Sequence, residues 1–317
     1  MPLIRVAFSL SVFIGSMGLG YGLSRLGWLN QRRSARLTQL VIKGLSPFVL
    51  WLSLWAIGFK TWRLALLPIL GASICVAMLL PAWLYVRRAR LAPAQAGSFL
   101  TCAAFSNVGY VGAFTAFALF GEKAYALCLL YLALFGLCFY TIGFAIARRY
   151  GGRAASQLPQ AAPANPKPAL TDDLRLYPFI GMGVGLLCNL LGLPRPDVLA
   201  AVNHVLIPLD TALYLIAIGS QLTVVPFGRW PGPSLAMSAI KFLYAPAVAW
   251  LLVSALGFEG LPRFVVLLEA STPVAVSPLI FPLLFKLDRE LSNAVWLFTN
   301  VLAIPWLLLV IPLLQRL

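Results

Sequence analysis

Long apolar runs, each closed by basic residues or by proline and glycine, divide the chain into ten segments. They cover residues 3–23, 37–59, 64–86, 94–120, 124–147, 176–193, 198–224, 234–255, 263–285 and 291–314. A helix needs about 20 apolar residues to cross the hydrocarbon of a bilayer, and only a helix or a closed barrel satisfies its own backbone there. Uninterrupted runs of this length predict helices, so the pattern predicts an all-α integral membrane protein of ten transmembrane helices. The run over 94–120 is the least uniformly apolar of them.

The pattern also repeats. LSPFVLWLSLWAIG over 45–58 returns without gaps as LIPLDTALYLIAIG over 206–219, with Leu45, Pro47, Leu52, Leu54, Ala56, Ile57 and Gly58 all recurring. Phe13-Ile14-Gly15 returns as Phe179-Ile180-Gly181, and Ser106 with Leu119-Phe120 returns at the same offset as Ser271 with Leu284-Phe285. Five spans fall in each half, and an odd number inserts the second half upside down, the arrangement from which many secondary transporters are built. The expected organisation is a first inverted repeat over 1–150, a cytoplasmic linker over 151–172 and a second inverted repeat over 173–317. The linker is rich in alanine and proline from Gly151 to Pro168, a composition that reads as a flexible connection.

Two spans are interrupted by polar, glycine-rich or proline-rich sequence. The fourth carries Ser106-Asn107-Val108-Gly109-Tyr110-Val111-Gly112 near its middle. Asn107 can hydrogen-bond through its side chain, and the glycines permit unwinding or the close approach of a second helix. The ninth carries Glu269-Ala270-Ser271-Thr272-Pro273-Val274-Ala275-Val276-Ser277-Pro278, with Pro282 a turn later. Each proline removes an amide hydrogen and clashes with the preceding turn, which favours a discontinuous helix over a simple kink. Interruptions at corresponding positions of two inverted halves point to a solute site near the membrane midplane, where the two breaks cross. Half-helix N-termini there would aim unpaired N–H groups at an anion.

Composition excludes a water-soluble globule: 61% of residues are apolar and 10% charged, with a mean hydropathy of +0.90. A net charge of +15 would suggest a nucleic-acid partner in a soluble protein, but here the basic residues lie between spans and report topology instead. Arg25, Arg32, Arg33 and Arg36 follow the first span, Arg87, Arg88 and Arg90 the third, and Arg148, Arg149, Arg153, Lys167 and Arg175 the fifth. The connections after even-numbered spans carry only Lys60 and Arg63, Lys123, Arg195 and Arg263. The positive-inside bias therefore places the odd-numbered connections in the cytoplasm and both termini outside, in a bacterial-type plasma (inner) membrane. The first run has no convincing cleavage site, and its loss would break the five-plus-five symmetry, so it reads as a span and not as a signal peptide.

The ordered set of NVGYVG in the fourth span, STPVAVSP in the ninth followed by Leu287-Asp288-Arg289-Glu290-Leu291, and Ala217-Ile218-Gly219-Ser220-Gln221-Leu222 in the seventh resembles the auxin efflux carrier family. Bacterial members of that family are often labelled malate or malonate permeases. The resemblance spans nearly the whole chain and implies two inverted five-helix repeats whose broken fourth and ninth helices cross. Such a fold is similar to the sodium/proton antiporters and bile-acid symporters, with a scaffold domain, a transport domain and elevator-like alternating access. By matching position it implies that Asn107, Gly109 and Gly112 form one crossover arm and Thr272 and Pro273 the other. The implied substrates are small organic anions, and the dimerisation of related carriers implies a homodimer through the scaffold spans. The chain departs from the family pattern at Phe114, where a proline is usual, and at Phe281-Pro282 and Phe285-Lys286, which replace a more acidic stretch. The first departure predicts a softer break in the fourth helix.

With their repeat counterparts included, the candidate substrate-binding residues are Ser106, Asn107, Gly109, Gly112, Ser271, Thr272 and Pro273. Ionisable groups within spans are costly and mark candidate function. Glu269, within a turn of the ninth-span break, is a candidate for proton coupling or for a structural pair with a base such as Lys241. Asp210, where the first repeat has Val49, is a candidate for proton or cation binding or for pairing with Lys43 or Lys241. Gln221, Asn293 and Asn300 line a cavity or hold helices together on this reading, and His204 sits at a span end. The five cysteines, Cys75, Cys102, Cys128, Cys138 and Cys188, have no metal-ligand spacing and read as packing residues, so no metal or cofactor is expected.

No HExxH, acidic metal cluster or G-x-S-x-G is present, and Asp172-Asp173 has no third ligand, so an enzyme is not expected. The expectation is a secondary transporter of small organic anions such as carboxylates, working by alternating access. The alternatives are a sodium- or proton-coupled transporter of another solute class, or a membrane receptor on the same fold.

Overall fold

The structure, a computed structural model, describes residues 2–58, 62–155, 176–222 and 229–316. In chain order its helices are α1 (Ile4–Arg25), α2 (Gln31–Trp55), α3 (Trp62–Arg88), α4 (Pro93–Ala104), α5 (Val108–Phe120), α6 (Glu122–Gly152), α7 (Tyr177–Leu190), α8 (Asp197–Gly219), α9 (Pro231–Ala255), α10 (Gly260–Ala270), α11 (Phe281–Phe285) and α12 (Arg289–Leu314). Seven of these, α1, α2, α3, α6, α8, α9 and α12, are long and apolar enough to cross a membrane. No strand occurs among the described residues. The protein is an all-helical, multi-pass membrane protein.

The other three apolar runs take a different form. The run over 94–120 divides into α4 and α5 at residues 105–107, and the run over 263–285 divides into α10 and α11, with a 3-10 turn at Ser277–Ile280 between them. The sixth run holds the shorter helix α7. The helical stretch that ends α6 continues through Gly151 and Gly152 to Ala155, beyond the point where the linker was expected to start. The remainder of the linker, with Asp172 and Asp173, lies outside the described residues.

Proline chemistry shapes two of the long helices. Wide π-turns at Val41–Leu45 in α2 and Ile240–Tyr244 in α9 each end two residues ahead of a proline, Pro47 and Pro246. A proline ring clashes with the carbonyl of the turn before it and offers no N–H, and a local π-turn relieves both faults.

The chain forms two compact units, and each draws on both sides of the linker. The first comprises Met1–Leu64, Gly109–Leu130 and Leu170–Leu222, the second Ala65–Val108, Tyr131–Ala169 and Thr223–Leu317. In the first unit α1 packs on α8, and α2 on α7. Small residues allow the close approach: a Cβ at Gly20 or Gly219 would strike the backbone of Ile216 or Met17, and one at Gly181 or Gly185 that of Pro47 or Trp51. Arg195 clamps Glu122 in a bidentate pair at 2.9 and 2.7 Å, and Asn203 Nδ2 donates to the same carboxylate and to Ser53 Oγ. This joins the α7–α8 connection to the start of α6.

In the second unit a cluster of aromatic rings packs α11 against the later part of α6. Phe281 is fully buried, with ring centroids 4.8 Å from Phe139 and 5.5 Å from Phe144, and Phe105 lies 5.2 Å from Phe139. Gly143 leaves the space that Phe281 and Phe105 fill.

Candidate functional site

In the second unit the two non-helical segments run antiparallel. Ser106 and Val274 form a bridge, with Asn107 N donating to Pro273 O at 2.7 Å and Ala275 N to Phe105 O at 3.1 Å. Two short extended stretches thus satisfy one another's backbone groups where burial keeps water away. The interruption in the fourth run spans 105–107, whereas that in the ninth spans 271–276. With one proline in the second stretch and none in the first, the shorter gap follows from sequence.

Side chains of α12 hold the second stretch from outside. Thr299 Oγ1 accepts from Val274 N at 3.3 Å, and Asn300 Nδ2 donates to Val274 O at 3.0 Å. Asn300 therefore ties helices together at the pairing point, one of the two roles expected of it.

Lys241 is the least expected member. It is fully buried in the π-turn of α9, and its Nζ donates to Ala103 O at 2.7 Å and Ser106 Oγ at 2.9 Å, with Met78 Sδ at 3.5 Å. Ala103 stands at the end of α4, where carbonyls have no intrahelical donor and the helix dipole is negative. The ammonium caps that end and uses all three of its hydrogens doing so. The lysine forms no ion pair among the described residues, and these bonds take the place of the carboxylate partner that was one alternative for it.

The candidate residues divide by what their polar atoms already do. Ser271 Oγ donates to Leu267 O at 2.7 Å and Thr272 Oγ1 to Glu269 O at 2.7 Å, so both hydroxyl hydrogens serve the end of α10. A hydroxyl has one hydrogen, so neither has a second to offer an anion. Pro273 contributes its carbonyl to the pairing. Asn107 is 3% exposed, and its Nδ2 has no partner among the described residues. Ser106, Val108 and Glu269 line a cavity of about 30 Å³ together with Cys75, Met78 and Cys138, room for about two waters. Glu269 itself is fully buried on the last turn of α10.

Other candidates belong to the first unit. Gly109 and Gly112 lie in the π-turn Val108–Ala113 that opens α5, with open space around the Gly109 Cα. Asp210 is buried and accepts from Ser46 Oγ at 2.7 Å, whereas Lys43 lies over the Tyr177 ring, so a hydroxyl donor stands where an ion pair with Lys43 was one alternative. Gln221 Nε2 donates to Ser34 Oγ at 3.1 Å and Ala217 O at 3.2 Å, inside a network that fastens the end of α8 to the first turn of α2. Among the described residues no group of three or more His, Cys, Asp or Glu could hold a metal ion.

A model of the family described as membrane transport protein matches residues 10–311, nearly the entire chain. The chain belongs to that family, the auxin efflux carriers. Relatives of similar length agree. An uncharacterised transporter of Methanothermobacter thermautotrophicus is 24% identical over 290 residues, 90% of this chain and 91% of its own. One from Methanocaldococcus jannaschii is 24% identical over 292 residues, 89% of this chain and 90% of its own.

Within the auxin efflux carrier pattern the departures have local reasons. Phe114, in place of a proline, is buried and lies 6.1 Å from Phe117 and 6.5 Å from Phe8, so α5 runs on through this position. Phe281, in place of acidic sequence, is the hub of the aromatic cluster behind the pairing point. Sequence reasoning missed the cap by Lys241. The available signal was a single lysine near the start of the apolar run 234–255, for which the sequence argument weighed a carboxylate partner and not a helix end.

Proposed function

We propose that this member of the auxin efflux carrier family is a secondary carrier of small organic anions, carboxylates among them, and that the solute is held beside the paired segments 105–107 and 271–276. One observation carries the reading: the buried Asn107 carboxamide keeps an unused donor at the point where two helices stop. An unmade hydrogen bond on a buried amide costs about 1–3 kcal/mol, a cost that a ligand carboxylate removes on binding. Lys241 places its amino group one residue away through Ser106, and α5 begins with its positive end at Val108. The present cavity is too small for such a solute, so the carrier alternates between this closed form and open ones, as alternating access requires.

On this reading the two stretches are the breaks of crossing fourth and ninth helices in an inverted repeat of ten. The bonds from Asn107 N to Pro273 O and from Ala275 N to Phe105 O exchange under a two-fold operation, which supports it. So does the first unit, where the first span packs on the seventh and the second on the sixth, pairs that the same exchange interconverts. The same two-fold operation makes Ala275 the counterpart of Asn107, so one arm alone carries the carboxamide. The arginine-rich connections support a plasma-membrane orientation with both termini outside. An anion that enters beside Glu269 meets like charge unless that carboxyl carries a proton, which makes Glu269 the coupling group for H⁺ symport.

The test is uptake of labelled malate, malonate and an indole carboxylate into proteoliposomes, with and without an imposed proton gradient, for the parent and Asn107→Ala. Saturable uptake that the substitution lowers at least tenfold supports the reading. Equal uptake by the variant sinks it, and binding without flux would mark a receptor.

A further inference from the structure

At the ends of α3 and α6 in the second unit lies a cleft of about 360 Å³, lined by Trp83, Val86, Arg87, Arg90, Leu91, Pro93, Ala96, Arg149 and Tyr150. Its chemistry differs from that of the candidate solute site. Three guanidinium groups frame it, no acidic residue lines it, and none of the three pairs with a carboxylate among the described residues. Like charges gathered without counter-charge repel, so the cleft is electrostatically incomplete as it stands. The guanidinium of Arg87 lies 3.7 Å above the Trp83 ring. This orients its plane and leaves its edge donors free for a bidentate acceptor.

Backbone geometry presents Arg90. Leu91 N donates to Val86 O at 3.2 Å and Arg90 N to Arg87 O at 3.4 Å, the paired bonds of a Schellman stop, with Arg90 at φ 51° in the left-handed position that glycine favours. An arginine here costs about 1 kcal/mol of conformational energy relative to glycine.

We infer that the cleft framed by Arg87, Arg90 and Arg149 binds the phosphate of an anionic phospholipid headgroup. Three observations favour a lipid over a soluble phosphate. The cleft combines its cations with an apolar floor of Val86, Leu91, Pro93 and Ala96. It carries a tryptophan and a tyrosine, the residues that settle at the headgroup level. And it lies at the ends of two helices long enough to span a bilayer, where basic pockets take up anionic headgroups. The following segment 156–175 is a poorer occupant by charge, because Asp172 and Asp173 are balanced by Lys167 and Arg175.

The experiment measures lipid retention by native mass spectrometry, with thermal unfolding in parallel, on the full chain in a neutral detergent. Phosphatidylglycerol, phosphatidylcholine and inorganic phosphate serve as probes. Phosphatidylglycerol is expected to bind the parent and raise its Tm, the other two to do neither. Arg87→Gln with Arg149→Gln should weaken phosphatidylglycerol about 30-fold, from about 1 kcal/mol for each basic residue near a headgroup. Arg88→Gln with Arg148→Gln removes equal charge from the same helix ends outside the cleft and should leave binding within about twofold. Arg90→Gly should lower lipid affinity about fivefold while the lipid-free Tm stays or rises, because glycine suits the turn. Equal loss in the Arg88/Arg148 control, equal binding of phosphatidylcholine, or a full response to inorganic phosphate alone would each overturn the assignment. So would unchanged lipid binding in Arg90→Gly.

Discussion

Asn107, Lys241 and Thr272 lie close together in sequence or space, yet their atoms face different obligations. The Thr272 hydroxyl is committed to Glu269 O. Thr272→Val should therefore cost about 1 kcal/mol of stability, read as a lower Tm in detergent, with solute KM within about twofold of the parent. A KM that rises tenfold at unchanged Tm would put Thr272 in contact with solute. Lys241 is the opposite case. Burying an unpaired ammonium costs several kcal/mol, against about 1–3 kcal/mol for each hydrogen bond its removal would strand. Lys241→Met should thus keep or raise the Tm while uptake falls at least about tenfold. A large loss of Tm with uptake intact would make the lysine a helix cap and nothing more.

Among the elements, α11 is short and depends on its neighbours. A helix of this length has no stability of its own, so the Phe281 ring, buried against Phe139 and Phe144, anchors it. Phe281→Ala should cost about 3–5 kcal/mol, measured by thermal unfolding, because the rigid rings around it cannot close the cavity. In the first unit the bidentate pair of Arg195 and Glu122 fixes the start of α6. Glu122→Gln leaves the guanidinium with half its acceptor set and should cost about 3 kcal/mol in the same assay. A fall below about 0.5 kcal/mol would class the pair with exposed surface bridges.

For the molecule as a whole, H⁺ coupling predicts that an inside-alkaline gradient accelerates malate uptake. Glu269→Gln, a permanent mimic of the protonated carboxyl, should retain exchange of solute for solute but lose the response to the gradient. A gradient response that survives the substitution would move coupling elsewhere, with Asp210 the next group to test.

The multi-pass membrane character and the helices α1, α2, α3, α6, α8, α9 and α12 were legible from sequence because each depends on local hydrophobicity within one run. A span declares itself by length and apolar content whatever it packs against. The stretches around Asn107 and Pro273 stood out by their polar, glycine and proline residues, but the gap in the fourth run is 105–107, and Gly109 and Gly112 belong to the helical turn that follows. What packs against them was not legible. Ser106 aligns with Ser271 by sequence offset yet bridges to Val274, because the register of two extended segments is set by which backbone groups meet. Lys241, for which a carboxylate was one alternative partner, caps α4, Asp210 accepts from Ser46 and Gln221 donates to Ser34, because buried polar groups pair with whatever donor or acceptor the packing delivers. The grouping of the described helices into two units, each drawn from both halves, likewise arose from contacts between residues more than a hundred positions apart. Those contacts decide which polar atoms are satisfied and leave the Asn107 amide with a donor to spare.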